Sequence, residues 1–535
     1  ADHYGSAEII VGKFVEKNPS TKITVLTKWC PKPSEMTENE VRTAVEKRLE
    51  RLKTKHIDLL QFHWWNYRDL RYIDAMNQLV KIQKEGKIRY IGVTNFDTAH
   101  LRVLLSTGYP VVTNQIHFSL LDRRATGKMT NLCLATGCRI LAFGCLAGGL
   151  LTDRYLNTPR PPPAKDRTDS ISKYLRFVRE AGGWAKLQEL LSVLDGIAKE
   201  LNCTIAHVAA GTSSLSLSLN VCMVSHTSHS GIHTGWVLSQ PAVASVIIGV
   251  RLGKSDRSNS NKEIFRVSQE LTKIHLDRID AVRMKPIPGD CGDEYRKEPF
   301  LTATGDLSEH LEDANKALFE LYKFNSSGTR IGSGTFWENK FAYSRAVRTS
   351  KGQIHVAGTT ATHRNTSIGN KAFCGFLSQS KDEKSGYLLQ PGVYVEGESE
   401  ILYDLRDGSV RNDPYAQAVF TLDKIEGALY VLGAALKSVV RTRLIVSNVE
   451  RDWHACALAH GERFRGLNPA NTLIGAPLVG KEFSVEIEVD AVLDSGSRRR
   501  SSWLARVLFF TGVTLAGVTL GAVMRHTVFS TRRKR

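Results

Sequence analysis

The sequence predicts an α/β chain: a parallel (β/α)8 barrel in its first half, a smaller α+β domain in its second, and a transmembrane helix near the C-terminal end. Three observations carry this. Short Val- and Ile-rich runs at 23–29, 58–65, 88–95, 111–118, 139–144 and 246–250 alternate with helical-period segments, the rhythm of βα units. Several runs end on a polar or ionisable residue, namely Lys28, His63, Asn95 and Gln115, and in a barrel such strand ends line one mouth where function resides. The 535 residues also exceed the roughly 250–300 that one core supports, so the chain must divide.

Between the runs lie amphipathic helices at 38–52, opened by the cap-like Thr37-Glu38-Asn39-Glu40, and at 72–85. A doubly wound sheet competes with the barrel, but it usually shows a glycine-rich phosphate turn after its first strand, and none is found here. The Ser/Thr-rich stretch 211–235 has no helical period and splits a helix that would run from 204–210 into 236–240, so it reads as an insertion. After Asp280 come Pro286-Ile287-Pro288-Gly289-Asp290, a helical linker at 307–322 and a Gly/Ser-rich break at 325–334. A second domain follows, with strands at 341–349, 353–358, 439–446 and 483–492 and helices at 415–436 and 453–464, which predicts a mixed sheet.

Composition excludes several classes. With 42% apolar and 24% charged residues the chain is neither disordered nor many-spanning. Of the +18 net charge, half sits between Arg498 and Arg535, where there are nine Lys or Arg and no acid. No basic stripe interleaved with aromatics remains, so nucleic-acid binding is not expected. The nine cysteines (30, 133, 138, 145, 203, 222, 291, 374 and 456) are scattered without a CxxC or a metal-spaced His pair, which predicts no metal site and a reducing compartment. Residues 507–524 hold no charge. As a helix they span about 27 Å, close to the minimum for a bilayer. Basic collars at Arg498–Arg500 and Arg532–Arg535 favour a membrane span over 503–528, a tail anchor with the domains in the cytosol.

Reducing a carbonyl with a nicotinamide requires a positioned hydride donor and an acid for the developing alkoxide. Tyrosine, which titrates near ~10 unperturbed, can serve when an ammonium beside it stabilises the phenolate. Tyr4, Lys28 and His63 would supply acid, tuner and orienting donor. The segments Ala1-Asp2-His3-Tyr4-Gly5, Leu26-Thr27-Lys28-Trp29 and Asp58-Leu59-Leu60-Gln61-Phe62-His63-Trp64 resemble the aldo-keto reductase superfamily over residues 1–295. That resemblance implies an NADP(H)-dependent oxidoreductase acting on an aldehyde or ketone, on a TIM barrel lacking its first strands. The family's catalytic aspartate would fall two residues before Ala1.

The resemblance further implies Tyr4 as proton donor, Lys28 as its partner and His63 as the donor that orients the substrate oxygen. Thr94, Asn95 and Gln115 would hold the nicotinamide carboxamide, and Phe143, in Ala142-Phe143-Gly144-Cys145-Leu146, would stack on the ring with Leu146 beside it. Gly249, Arg251, Ser255, Arg257 and Asn261 would bind the adenosine phosphate. Past a linker at 296–334, residues 335–494 resemble the reactive-intermediate deaminase (Rid/YjgF-like) family. The carrying segments are Gly358-Thr359-Thr360-Ala361-Thr362-His363, Asp413-Pro414-Tyr415-Ala416-Gln417-Ala418, the strand 440–446 and Asn468-Pro469-Ala470-Asn471-Thr472; 366–411 reads as an insertion. The resemblance implies a chorismate mutase-like α+β fold and a homotrimer. Imine-hydrolysing members carry an arginine after the Pro-Ala pair that forks onto a carboxylate; here that position is Asn471, so a binding or oligomerisation module is expected instead. Two alternatives stand beside the reductase: a catalytically degraded, membrane-anchored scaffold, and an imine or enamine deaminase acting through the second domain.

Overall fold

The computed structural model describes residues 5–64, 66–161, 169–210, 237, 240–248, 263–264, 266–267, 270–292, 317–325, 327–364, 366–370, 393–396, 400–404 and 412–493. In the first half α1 (Ala7–Lys17) precedes β1 (Leu26–Trp29), α2 (Glu38–Leu52), β2 (Ile57–His63), α3 (Tyr72–Lys84), β3 (Ile88–Thr94), α4 (Thr98–Ser106), β4 (Val111–His117), α5 (Lys128–Thr136) and β5 (Arg139–Phe143). Next come α6 (Asp169–Glu180), α7 (Gly183–Glu200), α8 (Ile205–Ala210), β6 (Val243–Val246) and α9 (Lys273–Asp280). The six strands pair in sequential order, each parallel to the next. Such a wall of βα units fits the barrel reading, with β1 and β6 as the outer strands of the described sheet.

Local chemistry sets the boundaries. α2 starts at a capping box: Thr37 N–H donates to Glu40 Oε2 at 2.7 Å and Glu40 N–H to Thr37 Oγ1 at 3.4 Å. It stops at Lys53 in the left-handed region, with Val41, Val45 and Leu52 buried against the sheet. The last strand differs from the expected 246–250. It spans Val243–Val246, because Ile140 pairs with Val243 and Ala142 with Val246, and the continuous apolar run offers no periodicity that marks its start.

In the second half β7 (Lys323–Phe324), β8 (Arg330–Gly332), α10 (Phe336–Lys340), β9 (Ala346–Arg348), β10 (Gln353–Thr360), β11 (Thr362–His363) and β12 (Thr366–Ser367) come first. β13 (Val393–Glu396), β14 (Glu400–Asp404), α11 (Pro414–Val431), β15 (Val439–Val446), α12 (Val449–Phe464), β16 (Ala470–Gly475) and β17 (Val485–Val492) follow. One mixed sheet runs β16-β15-β17-β10-β9-β8-β7, with only β15 and β16 parallel. β7 and β8 extend this sheet into residues assigned to the linker, and the strand expected at 341–349 is cut to β9 because α10 precedes it. β13 and β14 form a hairpin of their own within the expected insertion. α11 begins at Asp413, whose side chain accepts from Ala416 N–H at 3.1 Å, with Pro414 in the first turn. It ends at Val431, five residues short of the expected stop, where Gly433 takes a φ of 87°.

Almost every residue of α11 is buried. One side packs on β10 and β17, the other on α4 of the parallel half, and buried residues of both halves form one continuous core. The contact needs close approach: a Cβ at Gly427 would lie 2.7 Å from Tyr322 Oη and 3.0 Å from the Arg68 carbonyl oxygen. Polar groups cross the interface in pairs. Arg102 forks onto Asp413 at 2.7 and 3.0 Å, His363 meets Asp74 at 2.8 Å, and Arg71 donates to the Ala317 carbonyl at 3.1 Å.

No helix among the described residues is long and apolar enough to cross a membrane. The expected span 503–528 and the insertion 211–235 lie outside the described residues.

Candidate functional site

Register brings the expected residues onto one face. Lys28 pairs with Gln61, Gln61 with Gly92 and Gly92 with Thr113 in one row. Two residues further along, His63 pairs with Thr94, Thr94 with Gln115 and Gln115 with Leu141, and beyond them His117 pairs with Phe143. Positions two apart share a face, so Lys28, Gln61, His63, Thr94, Gln115, His117 and Phe143 rise in tiers toward the C-terminal edge. Gln61 on β2 reaches past β3 to β4, its Nε2 donating to Gln115 Oε1 at 2.9 Å. Gly92 stands between them, and a Cβ there would lie 2.3 Å from Thr113 Oγ1.

Thr94 Oγ1 also donates to Gln115 Oε1, at 3.3 Å. The carbonyl end of Gln115 is therefore engaged, which leaves its amide N–H groups to donate to a bound group. Asn95 turns the chain after β3 with φ 57°, its backbone N–H donating to the Gln115 backbone carbonyl at 2.9 Å. His63 is buried at the end of β2. Phe143 is half-buried, with the Lys173 ammonium 5.6 Å from its ring centroid. Leu146 lies in the turn after β5, where its carbonyl accepts from Gly149 and Leu151 N–H at 2.9 and 3.2 Å. Tyr4, Gly249, Arg251, Ser255, Arg257 and Asn261 lie outside the described residues.

Sequence reasoning missed the group beside Phe143. His117 Nδ1 meets Asp122 Oδ2 at 2.9 Å, and Arg124 donates to both Asp122 oxygens at 2.9 Å. Burial pushes His117 below its ordinary pKa, against the pull of Asp122; although burial opposes its charge, Asp122 is held well below the carboxylate range by His117 and Arg124. A neutral imidazole then donates from Nδ1 and leaves Nε2 bare, buried without a hydrogen-bond partner among the described residues. Tyr174 and Phe177 crowd the ring at 5.3 and 4.5 Å. Gly144, φ 71°, is obligatory here, since a Cβ would lie 2.4 Å from Tyr174 Oη. The only sequence signal was a His, an Asp and an Arg spaced five and then two apart after a strand.

No group of three His, Cys, Asp or Glu able to hold a metal occurs among the described residues. In the second domain Thr442 Oγ1 lies 3.2 Å from Asn471 Oδ1 and 2.9 Å from His460 Nε2. On the sheet face away from the helices His355 pairs with Asp490 at 2.7 Å and Arg443 with Glu488, around a groove that Val347 and Arg441 also line.

The tiers place an amide donor at Gln115, a hydroxyl at Thr94 and an aromatic ring at Phe143 on the face that carries Lys28 and His63, a donor set that suits a nicotinamide. Comparisons with known proteins match two segments of the chain to families. Residues 1–210 match the family model described as "Aldo/keto reductase family", and 392–493 match "Endoribonuclease L-PSP". Over 160 residues the chain is 32% identical to Flagellar radial spoke protein 5 of Chlamydomonas reinhardtii, covering 26% of this chain and 30% of that protein. Over 311 residues it is 26% identical to Protein tas of Escherichia coli, covering 52% of this chain and 80% of the relative. It is 27% identical over 227 residues to the chloroplastic Pyridoxal reductase of Arabidopsis thaliana, covering 39% and 59%. Among solved structures, the glycerol dehydrogenase AKR11B4 from Gluconobacter oxydans is 23% identical with a TM-score of 0.40, covering 53% of this chain and 79% of its own. Rv2704 of Mycobacterium tuberculosis, of the YjgF/YER057c/UK114 family, is 27% identical with a TM-score of 0.21, covering 31% and 98%.

Proposed function

We propose that this chain, whose residues 1–210 belong to the aldo/keto reductase family and 392–493 to the Endoribonuclease L-PSP family, reduces an aldehyde or ketone with NADPH at the mouth of its parallel sheet. The convergence of Lys28, His63, Thr94, Gln115 and Phe143 on one face carries the reading. Relatives named as a pyridoxal reductase and an NADH-specific methylglyoxal reductase support the reaction class. NADPH, when bound, supplies the hydride. Gln115 would hold the carboxamide through its amide hydrogens, with Thr94 and Asn95 completing the clamp and Phe143 offering the ring a flat wall. His63 orients the substrate oxygen, and Tyr4 protonates it with its phenol tuned by the Lys28 ammonium. Gly249, Arg251, Ser255, Arg257 and Asn261 take the adenosine phosphate. NADPH consumption by the full chain with small aldehydes and ketones tests this: turnover should fall at least about a hundredfold in Lys28→Met and in His63→Ala, and no consumption by the wild type refutes it.

The second domain serves as a binding and trimerisation module. Asn471 favours this over imine hydrolysis, since a neutral amide cannot form the charged fork, and the charged groove on its outer sheet face suits contact with further copies. Sedimentation should give a trimer, and semicarbazone trapping should detect no imine turnover. Residues 507–524 anchor the protein to a membrane with its domains in the cytosol; flotation with vesicles that is lost when 507–524 is deleted tests this.

A further inference from the structure

We propose that His100 is a positioning residue through which the second domain holds the mouth of the parallel sheet in shape, an inference that rests on the nicotinamide reading above. His100 is fully buried on α4, and both of its ring nitrogens face carboxylates: Nδ1 meets Asp97 Oδ1 at 2.6 Å and Nε2 meets Asp423 Oδ2, on α11, at 2.8 Å. Ionised carboxylates only accept, so each nitrogen carries a hydrogen and the ring is an imidazolium clamped between the two halves of the molecule. Arg463 holds the other Asp423 oxygen at 2.7 Å and Glu426 at 3.1 Å. The clamp is thus a buried, hydrogen-bonded chain of alternating charge.

Two features aim it at the mouth. Asp97 lies three residues after Thr94 and accepts from His100 N–H at 2.8 Å, which fixes the corner Asn95-Phe96-Asp97. That corner is so tight that a Cβ on Gly292 would lie 2.8 Å from Asn95 O and 2.7 Å from Asp97 N. On its other side the His100 ring stacks on Tyr67, centroids 3.6 Å apart and planes 8° apart. Tyr67 belongs to the loop after His63, and the next residue, Arg68, lies 4.4 Å over the Tyr430 ring of α11. The loops that follow β2 and β3, the strands that end on His63 and Thr94, are therefore braced through one imidazolium against one helix of the second domain. Reciprocal coupling follows: loosening α11 at Asp423 or Tyr430 loosens the nicotinamide clamp.

Hydrogen exchange and NADPH titration of the full chain test this on Asp423→Asn and Tyr430→Leu. In Asp423→Asn, amides of 64–71 and 94–98 should exchange at least about tenfold faster while those of 139–151 do not change, and the NADPH dissociation constant should rise about three- to thirtyfold. Tyr430→Leu, which removes only a half-buried ring, should accelerate 64–71, so the inference stays open to test if Asp423→Asn does not fold. Faster exchange confined to 414–431 in both variants would overturn the coupling, as would faster loops with unchanged NADPH affinity. If the wild type binds no NADPH the nicotinamide reading falls, and the exchange rates of the two loops alone then decide whether the brace exists.

Discussion

The charge on His100 gives the domain interface a dependence on pH whose sign and size can be worked out. Burial opposes protonation, but Asp97 and Asp423 more than offset it and raise the pKa from the ordinary 6.5 to about 9. Tyr72, packed nearby, stays neutral through this range because burial raises its pKa well above the ordinary tyrosine value. A pKa raised on folding means the folded state binds the proton more tightly than the unfolded chain. The stabilisation is complete below about 6.5 and is lost as pH rises through about 9, and the 2.5-unit gap corresponds to about 3 kcal/mol. Lys424 runs the other way. Burial and the nearby Arg345 lower it to about 7, so its contribution rises with pH above 7 and masks His100 in the raw profile. The remedy is a difference between proteins. Urea unfolding of the wild type and of His100→Gln across pH 6–10 should show the wild type's advantage shrinking by about 3 kcal/mol over that range. An advantage that stays constant with pH, or grows, would refute the charged bridge.

Other outcomes follow from the same contacts. Lys424→Met should be more stable than the wild type at pH 6, with an advantage that shrinks by up to about 5 kcal/mol as pH passes from 7 to above 10, read by the same urea titrations. Asp413→Ala removes the carboxylate on which the buried Arg102 guanidinium forks and the cap of α11; it should lose about 3–5 kcal/mol of unfolding free energy. Gly144→Ala forces a side chain into a left-handed φ against Tyr174 and His117, and should cost at least about 1–2 kcal/mol in thermal denaturation and weaken NADPH binding.

Much of the parallel half was legible because its signals are local and redundant. Thr37 and Glu40 marked the start of α2, and β2 to β5 fall within two residues of their apolar runs. The tier of Lys28, His63, Thr94 and Gln115 was legible because strand ends in βα units share a mouth. What stayed hidden depends on pairing between distant segments. Asp423 and His100 are 323 residues apart, and nothing local separates an α4 that faces solvent from one covered by α11. Nothing in the sequence marks Arg71 and Arg102 as fully buried, since arginine is ordinarily exposed unless it is paired. β16 was read only as a motif, since its six residues are mostly exposed and lack the alternation of a half-buried strand. His117 escaped notice because a histidine ending a strand is common, and only Asp122 and Arg124 folding back give it a defined tautomer.

The most direct test is a titration of the full chain with NADPH, followed by quenching of tryptophan fluorescence, for the wild type and Gln115→Ala. Trp29 and Trp64 stand at the ends of the strands that form the mouth. Saturable quenching in the wild type that weakens at least about tenfold in Gln115→Ala, the loss of one buried carboxamide contact, is the predicted result. Absence of saturable quenching, or equal affinity in both proteins, would contradict a nicotinamide held at the mouth of this sheet.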